Sequence, residues 1–562
     1  MQTTTTAASD TRTEAPSMEE VLEAVTWEYL DTLDKKRLPP LKEVASGVIA
    51  AVSDAFKQHN ADKTLDRQEK WPIPLVLNPA QIADIICACF HVVNVSLTEE
   101  SEDEEYDLPA IYQESGPLAG TYSVSEKVFR RLAKKLHYTA SDRDMKEVMK
   151  ALGTTAPHVA VRREQDEVAV NNGIFDFRTK KLMPFTPEKV FLGKCPVDYV
   201  PFAKNPVIHN PDDNTDWDVE SWMGSLSGDP AVVNVLWQTI GAVIRPNVRW
   251  DRIVIMYSKK GNNGKGTLCR LMENLCGKKN CASLQMADFS KEFVLEPLIG
   301  ASAIIVDEND VGTYIDKAAA LKAVVTGDTI QINRKFKQPV FFQFRGLMVQ
   351  CVNELPKTRD KTDSMYRRQL LIPFTKCFTG EERKYIKHDY LGRKEVLEYV
   401  LWRVLNMDYY ELDEPAACKA LKAECMEDNN PVLQFWNEFR EQFVWDDLPF
   451  GFLYDLYKAW HIRFNQGGTL FGKRMFIREL RRVIESDPEW EATDNAPINR
   501  GKKLYMPEYL VDDYKLIGWK WYDNGIDKYG PPVTMKNYKG LYRVTPAGGT
   551  GTGGQNAGGG QP

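Results

Sequence analysis

Lys265 stands among residues suited to holding phosphate. The stretch Lys260-Gly261-Asn262-Asn263-Gly264-Lys265-Gly266-Thr267 is built of small residues whose backbone N–H groups can turn inward around an anion. An apolar run from Asp251 to Ser258 precedes it and a helical pattern from Leu268 to Leu275 follows, so the positive end of a helix would face the same anion. In such a strand–loop–helix unit, Gly261 to Thr267 cradle the phosphates and Lys265 contacts the β- and γ-phosphates. Lys259 fills the first glycine slot of the commonest pattern, and Gly266 sits where a Mg²⁺-binding Ser or Thr usually follows the lysine. Thr267 is therefore the expected hydroxyl.

A lysine in a glycine-rich stretch can also be a plain surface turn, so a second element has to decide. Ala303-Ile304-Ile305-Val306 reads as a buried strand that delivers Asp307-Glu308 at its C-terminal end, where open α/β sheets bind ligands. Asp307 is expected to hold Mg²⁺ and Glu308 to polarise water. ATP and Mg²⁺ are the expected cofactors.

With these residues in place, the segment from about Asp251 to Phe374 resembles the superfamily 3 helicases, within the primase–helicase group of phages, plasmids and large DNA viruses. Three further stretches carry the resemblance: Leu321 to Asp328, Arg334-Lys335-Phe336-Lys337, and Gln350-Cys351-Val352-Asn353-Glu354-Leu355-Pro356. The resemblance implies that Asn353, after the run Leu347 to Val352, senses the γ-phosphate. It implies that Arg367 or Arg368, just before the run Leu370 to Phe374, is an arginine finger reaching a neighbour's nucleotide, with Arg368 favoured. A finger acting in trans implies a closed homo-oligomeric ring, commonly a hexamer, and the family suggests 3′-to-5′ movement.

The Arg334–Lys337 stretch lies between two β-prone runs, Thr329 to Asn333 and Val340 to Phe344, and is expected to form a hairpin tip pointing into the ring's channel. Its cations would grip the backbone of single-stranded DNA and Phe336 would stack on a base. Upstream, Asn172-Gly173-Ile174-Phe175-Asp176 and Pro196-Val197-Asp198-Tyr199 look like the domain that precedes the motor in this group. Downstream, Phe452 to Trp460 and Phe471 to Ile484 are similar to its winged-helix region. Lys473, Arg474, Arg478, Arg481 and Arg482 there are a candidate duplex-DNA contact, or a solvated helix face.

The fold class expected is α/β: a P-loop (AAA+-like) ATPase core, a helical and mixed N-terminal region, and a C-terminal winged-helix-like domain. At 562 residues the chain exceeds what one core usually serves. The expected divisions are 1–17 disordered, 18–110 a helical leader with an acidic loop from Glu99 to Asp107, and 111–245 mixed α/β. The ATPase domain then spans 246–400, the winged-helix-like domain 401–535, and a Gly-rich disordered tail 536–562. Tyr122 to Leu136 and Ala140 to Leu152 read as helices, and Val168 to Phe177 as one strand.

Composition narrows the function classes. Net charge is −7, so DNA contacts must come from local patches. Ten cysteines occur without a CxxC pair, which reads as buried, reduced thiols and no zinc site. Neither a secretory signal nor a membrane span is evident, so a cytoplasmic location, in a bacterial host, is expected. The seven histidines are dispersed and no GxSxG turn occurs, so hydrolysis other than nucleotide cleavage is not expected. Primer synthesis is not expected either, and a separate primase or other replication proteins would be partners. The sequence reading is thus an ATP-dependent replicative helicase acting on single-stranded and forked DNA. An ATP-controlled origin-melting initiator and a non-catalytic replication scaffold are the alternatives.

Overall fold

The computed structural model describes residues 16–35, 37–62, 64–98, 106–309, 314–315, 318–358, 363–464, 470–497, 506–530 and 537–544. The expected disordered start up to residue 15, the acidic residues 99–105 and the Gly-rich residues 545–562 lie outside these. By contacts the chain divides into two units, 1–422 and 423–562. No helix among the described residues is long and apolar enough to cross a membrane.

The first unit opens with helices Met18–Asp31, Leu41–Asn60 and Pro79–Cys89. Ser17 and Asn78 start two of them with reciprocal capping boxes, closing on Glu20 and Gln81. Strand Val92–Ser96 follows and pairs antiparallel with Leu108–Tyr112 and parallel with His158–Ala160. Helices Glu126–Leu136 and Asp142–Thr155 pack against the earlier helices, and one apolar core runs from Leu30 to Ala156, across the boundary expected at 110. Tyr122–Ser123 pairs as a strand instead of beginning the helix.

The stretch expected as one strand, Val168 to Phe177, is a hairpin. Glu167–Val170 and Gly173–Asp176 pair antiparallel about Asn171-Asn172, and Lys181–Met183 adds a third strand. Asn-Asn-Gly is turn chemistry, because Asn tolerates and Gly readily adopts unusual backbone angles. The turn is also where the two upstream stretches meet: Asn172 Nδ2 donates to Tyr199 O over 3.1 Å and accepts at Oδ1 from Tyr199 N over 2.9 Å.

The central segment holds a five-stranded sheet of β1 (Ile253–Tyr257), β2 (Cys281–Ala282), β3 (Ala303–Val306), β4 (Leu347–Val352) and β5 (Gln369–Pro373). All neighbours are parallel, in the order β2-β3-β4-β1-β5. Such strands are covered on both faces, hence their near-continuous apolar sequences. Helix α1 (Lys265–Cys276) buries Leu268, Leu271, Met272 and Leu275 against the sheet, each worth about 1.5–3 kcal/mol. The same core reaches Cys418, and the unit boundary lies at 422/423 rather than at 400/401. Arg245, 1% exposed, lies over the Phe177 ring at 3.3 Å and donates to Tyr409 O over 2.9 Å, tying the hairpin region to the far end of this core.

In the second unit α2 (Pro431–Phe439), β6 (Asp447–Pro449), α3 (Phe450–Phe464), α4 (Lys473–Ile484), β7 (Trp490–Pro497) and β8 (Asn537–Arg543) follow in turn. Strands β6, β8 and β7 form an antiparallel sheet in the order β6-β8-β7, around a core rich in aromatic rings, and Lys520–Asp523 pairs with Ile526–Tyr529 as a separate hairpin. Strand β8 corrects the expected tail. Tyr538 and Leu541 bury their side chains, so order continues through Val544, beyond the expected end at 535.

Candidate active site

The candidate phosphate-loop residues take the backbone form that their types allow. Gly264 has φ 85° and Asn262 φ 53°, and the helix begins at Lys265, so its first N–H groups face the loop. Asn263 is buried; its amide oxygen accepts from Lys265 N over 3.3 Å, and its Nδ2 donates to Lys260 O. The tip is held from outside, since Phe378 N donates to Asn262 O over 2.7 Å and Asn262 Nδ2 donates to Glu382 Oε1 over 2.8 Å. Gly261 is exposed.

Three strands deliver the chemistry to one end of the sheet. Lys265 follows β1 through the loop, Asp307 and Glu308 follow β3, and Asn353 follows β4. Lys265 is 6% exposed and its Nζ donates to Asn353 Oδ1 over 3.1 Å. Burial lowers its pKa from the ordinary lysine value. Asp307, Glu308 and Asn353 are exposed.

Gly266 has a steric reason for lacking a side chain. A Cβ there would lie 2.5 Å from Asp307 Oδ1 and 2.7 Å from Oδ2. The carboxylate sits against the first turn of α1, in the space that a Ser or Thr would take. Thr267 is half-buried and, with Asn262 and Gly264, lines a cleft of about 710 Å³ walled by Trp217, Trp222 and Phe378.

Several contributors carried no motif. Lys387 Nζ reaches Asp307 Oδ2 at 3.3 Å. Buried Asn309 donates from Nδ2 to Gln350 Oε1 and Cys351 O, each over 3.0 Å, and so fastens the acidic turn to β4. An Asn just after two carboxylates was the only signal for this.

Ile330–Ile332 and Val340–Phe342 pair antiparallel around the Arg334–Lys337 turn. At its tip Phe336 is 96% exposed with φ 61°, and Lys335 is exposed beside its ring. The flanking cations are engaged within the chain: Arg334 Nε lies 3.6 Å from Glu296 Oε1, and Lys337 Nζ 2.9 Å from Glu126 Oε1. Arg367 is exposed, whereas Arg368 is half-buried and donates from Nη1 to Ser364 O and Oγ, both over 2.6 Å.

In the second unit, α4 turns Phe476, Leu480 and Ile484 inward and leaves Lys473, Arg474, Arg478 and Arg482 exposed. Arg481 is half-buried and pairs with Asp494 at 2.6 Å.

Comparison with known families gives three matches. A D5 N terminal like family matches residues 93–226, a family of unknown function (DUF5906) matches 256–368, and a Poxvirus D5 protein-like family matches 427–516. The D5-type segments bracket the parallel sheet, and over those stretches the chain is similar to the D5-type families. Among curated relatives, "Putative helicase 121R" of Invertebrate iridescent virus 3 is 26% identical over 232 residues, 38% of this chain. "Putative helicase L207/L206" of Acanthamoeba polyphaga mimivirus is 22% identical over 238 residues, 40% of this chain. In each case the match spans 23% of the relative's length. The solved structure titled "The A form apo structure of NrS-1 C terminal region-CTR" aligns at TM-score 0.40 and 11% identity, covering 83% of this chain and 100% of that one.

Proposed function

We propose that the chain is an ATP-dependent, ring-forming DNA helicase of a replication system. The convergence of Lys265, Asp307, Glu308 and Asn353 at one end of the parallel sheet carries this reading. Lys265 neutralises the β- and γ-phosphates, Glu308 polarises the attacking water, and Asn353 orients that water with a neutral amide that does not compete for metal. The cleft beside Thr267 has room for the nucleoside.

Thr267 and Asp307 suit Mg²⁺, being a hydroxyl and a carboxylate, and the absent side chain at Gly266 keeps the carboxylate close to the loop. The metal supplies charge neutralisation on the transferring phosphates. The exposed Arg367 is better placed than Arg368 to reach a neighbouring subunit, because Arg368 is already bound to Ser364 of its own chain. The hairpin then meets single-stranded DNA mainly through Phe336 and Lys335. Helices α3 and α4 beside the antiparallel β6-β8-β7 sheet support the winged-helix reading, with the exposed face of α4 toward duplex.

The test is steady-state ATP hydrolysis by wild type and Lys265→Ala, with and without single-stranded DNA, below and above the concentration at which oligomers form. DNA-stimulated, assembly-dependent turnover that vanishes in the variant is expected. Absence of turnover in wild type under every condition would replace this reading with the scaffold, and ATPase without unwinding of a long fork would favour the origin-melting initiator.

A further inference from the structure

Beneath the phosphate loop, beside Asp307, lie two thiols that the ATPase reading does not use. Cys269, one helical turn after Lys265 on α1, and Cys351, on β4, are both 1% exposed, and their sulfurs are 3.3 Å apart. One ligand atom each from Cys269, Cys351 and Asp307 all lie within 4.8 Å of one another. A tetrahedral Zn²⁺ bound at about 2.3 Å to sulfur and about 2.0 Å to oxygen needs ligand separations of about 3.5–3.8 Å. Small side-chain rotations bridge that difference, and Asp307, 48% exposed, provides the way in from solvent.

We propose that Cys269, Cys351 and Asp307 form a binding site for a thiophilic divalent cation, Zn²⁺ in particular, which competes with Mg²⁺ for Asp307 and holds the ATPase inactive. Two sulfurs and a single carboxylate select a soft ion over a hard one. Binding releases one proton from each thiol and forms two metal–sulfur bonds and one metal–oxygen bond, leaving a fourth position for solvent. Two thiolates, one carboxylate and the dication sum to −1, beside the ammonium groups of Lys265 and of Lys387, which lies 3.3 Å from Asp307 Oδ2. All three ligands act electrostatically on the Lys265 ammonium. In the loaded state Lys265 faces the metal cluster instead of phosphate, and Asp307 is no longer available to Mg²⁺. The inhibition rests on the ATPase reading above; the metal site does not.

The test uses the full chain and Cd²⁺ as a spectroscopic stand-in, without nucleotide. One Cd²⁺ per chain with a sulfur-to-metal charge-transfer band is expected, with the band lost in both Cys269→Ala and Cys351→Ala. In Asp307→Asn the affinity should fall at least tenfold. On the wild type alone, the cadmium NMR resonance should fall between all-oxygen and all-sulfur ligation, which keeps the test valid if a cysteine variant does not fold. Zn²⁺ should also inhibit wild-type hydrolysis reversibly on chelation, with each variant scored against its own zinc-free rate and the cysteine variants insensitive. A band that survives both cysteine substitutions, an all-oxygen or all-sulfur resonance, or equal zinc sensitivity of wild type and variants would overturn the proposal. A chain that binds Cd²⁺ as described yet hydrolyses no ATP would refute the helicase reading and leave the site standing.

Discussion

The Lys265 ammonium, at the start of α1, donates to the amide oxygen of Asn353, at the end of β4, over 3.1 Å. Without nucleotide this contact gives the buried ammonium a hydrogen-bond acceptor. On the proposed reading, nucleotide draws Lys265 to phosphate and frees Asn353 to orient water. Asn353→Ala is therefore expected to lower kcat by about 10²–10³, a loss of the size seen on removing one polar transition-state group, with nucleotide affinity little changed. Lys265→Ala should lose both. Separate titrations of nucleotide binding and turnover measure the split, and an Asn353→Ala enzyme that loses affinity but keeps kcat would contradict the sensor role.

The clash at Gly266 predicts that restoring the commoner hydroxyl does harm. Gly266→Ser places a Cβ about 2.5 Å from Asp307 Oδ1, and the short carboxylate can swing away more cheaply than the backbone can move. Folding stability should change little, while Mg²⁺-dependent hydrolysis falls at least about tenfold and needs more Mg²⁺. Thermal unfolding and a Mg²⁺ titration distinguish this from a folding defect. Undiminished hydrolysis would mean that Asp307 does not serve the metal from where it stands.

Most of the parallel sheet was legible because its strands are buried on both faces. Ile253 to Tyr257 and Ala303 to Val306 read as unbroken apolar runs, and Leu347 to Val352 as one interrupted only by Gln350, with the candidate site residues just beyond. Periodicity failed where turn chemistry ruled, as at Asn171-Asn172, and where a short strand borders low-complexity sequence, as at Asn537–Arg543. Contacts such as Lys387 with Asp307, or Cys269 with Cys351, join residues far apart in the chain, and no local pattern announces them.

Two adjacent arginines with different surroundings should part company in a mixing experiment. Arg367→Ala is expected to lower DNA-stimulated turnover about 10³-fold with assembly intact, and to poison wild-type subunits in mixed oligomers, as loss of a finger acting in trans requires. Arg368→Ala removes two contacts to Ser364 and should mainly loosen the short helix Asp363–Tyr366. If Arg368→Ala poisons mixed rings and Arg367→Ala does not, the assignment is reversed.

An exposed aromatic between cations predicts a separable DNA defect. Phe336→Ala should weaken single-stranded DNA binding by about tenfold or more, since stacking one base is worth about 1–3 kcal/mol, while hydrolysis without DNA is unchanged. Lys335→Ala should lower the salt dependence of binding by about one counterion. Fluorescence anisotropy across a salt series reads both. Equal binding by Phe336→Ala and wild type would remove the hairpin from the DNA path.

The helix Pro79–Cys89 contains a carboxylate whose titration reports on the N-terminal core. Asp84 is 8% exposed; burial, and then the negative charge of Glu23, push its pKa up to about 6. The unfolded chain gives up this proton near a pH of about 4, so between about 4 and 6 the folded state binds the extra proton. Stability is thus lost as pH rises through that window and stays lower above it. Asp84→Asn should leave stability unchanged at pH of about 4 and raise it at pH of about 7.5 by of order 1 kcal/mol, allowing for solvent screening of a partly wetted group. Hydrogen exchange of the Pro79–Cys89 amides, corrected for intrinsic pH dependence, should slow in the variant at the higher pH only. Equal protection of variant and wild type at pH of about 7.5 would show that the Asp84 charge is solvated in place.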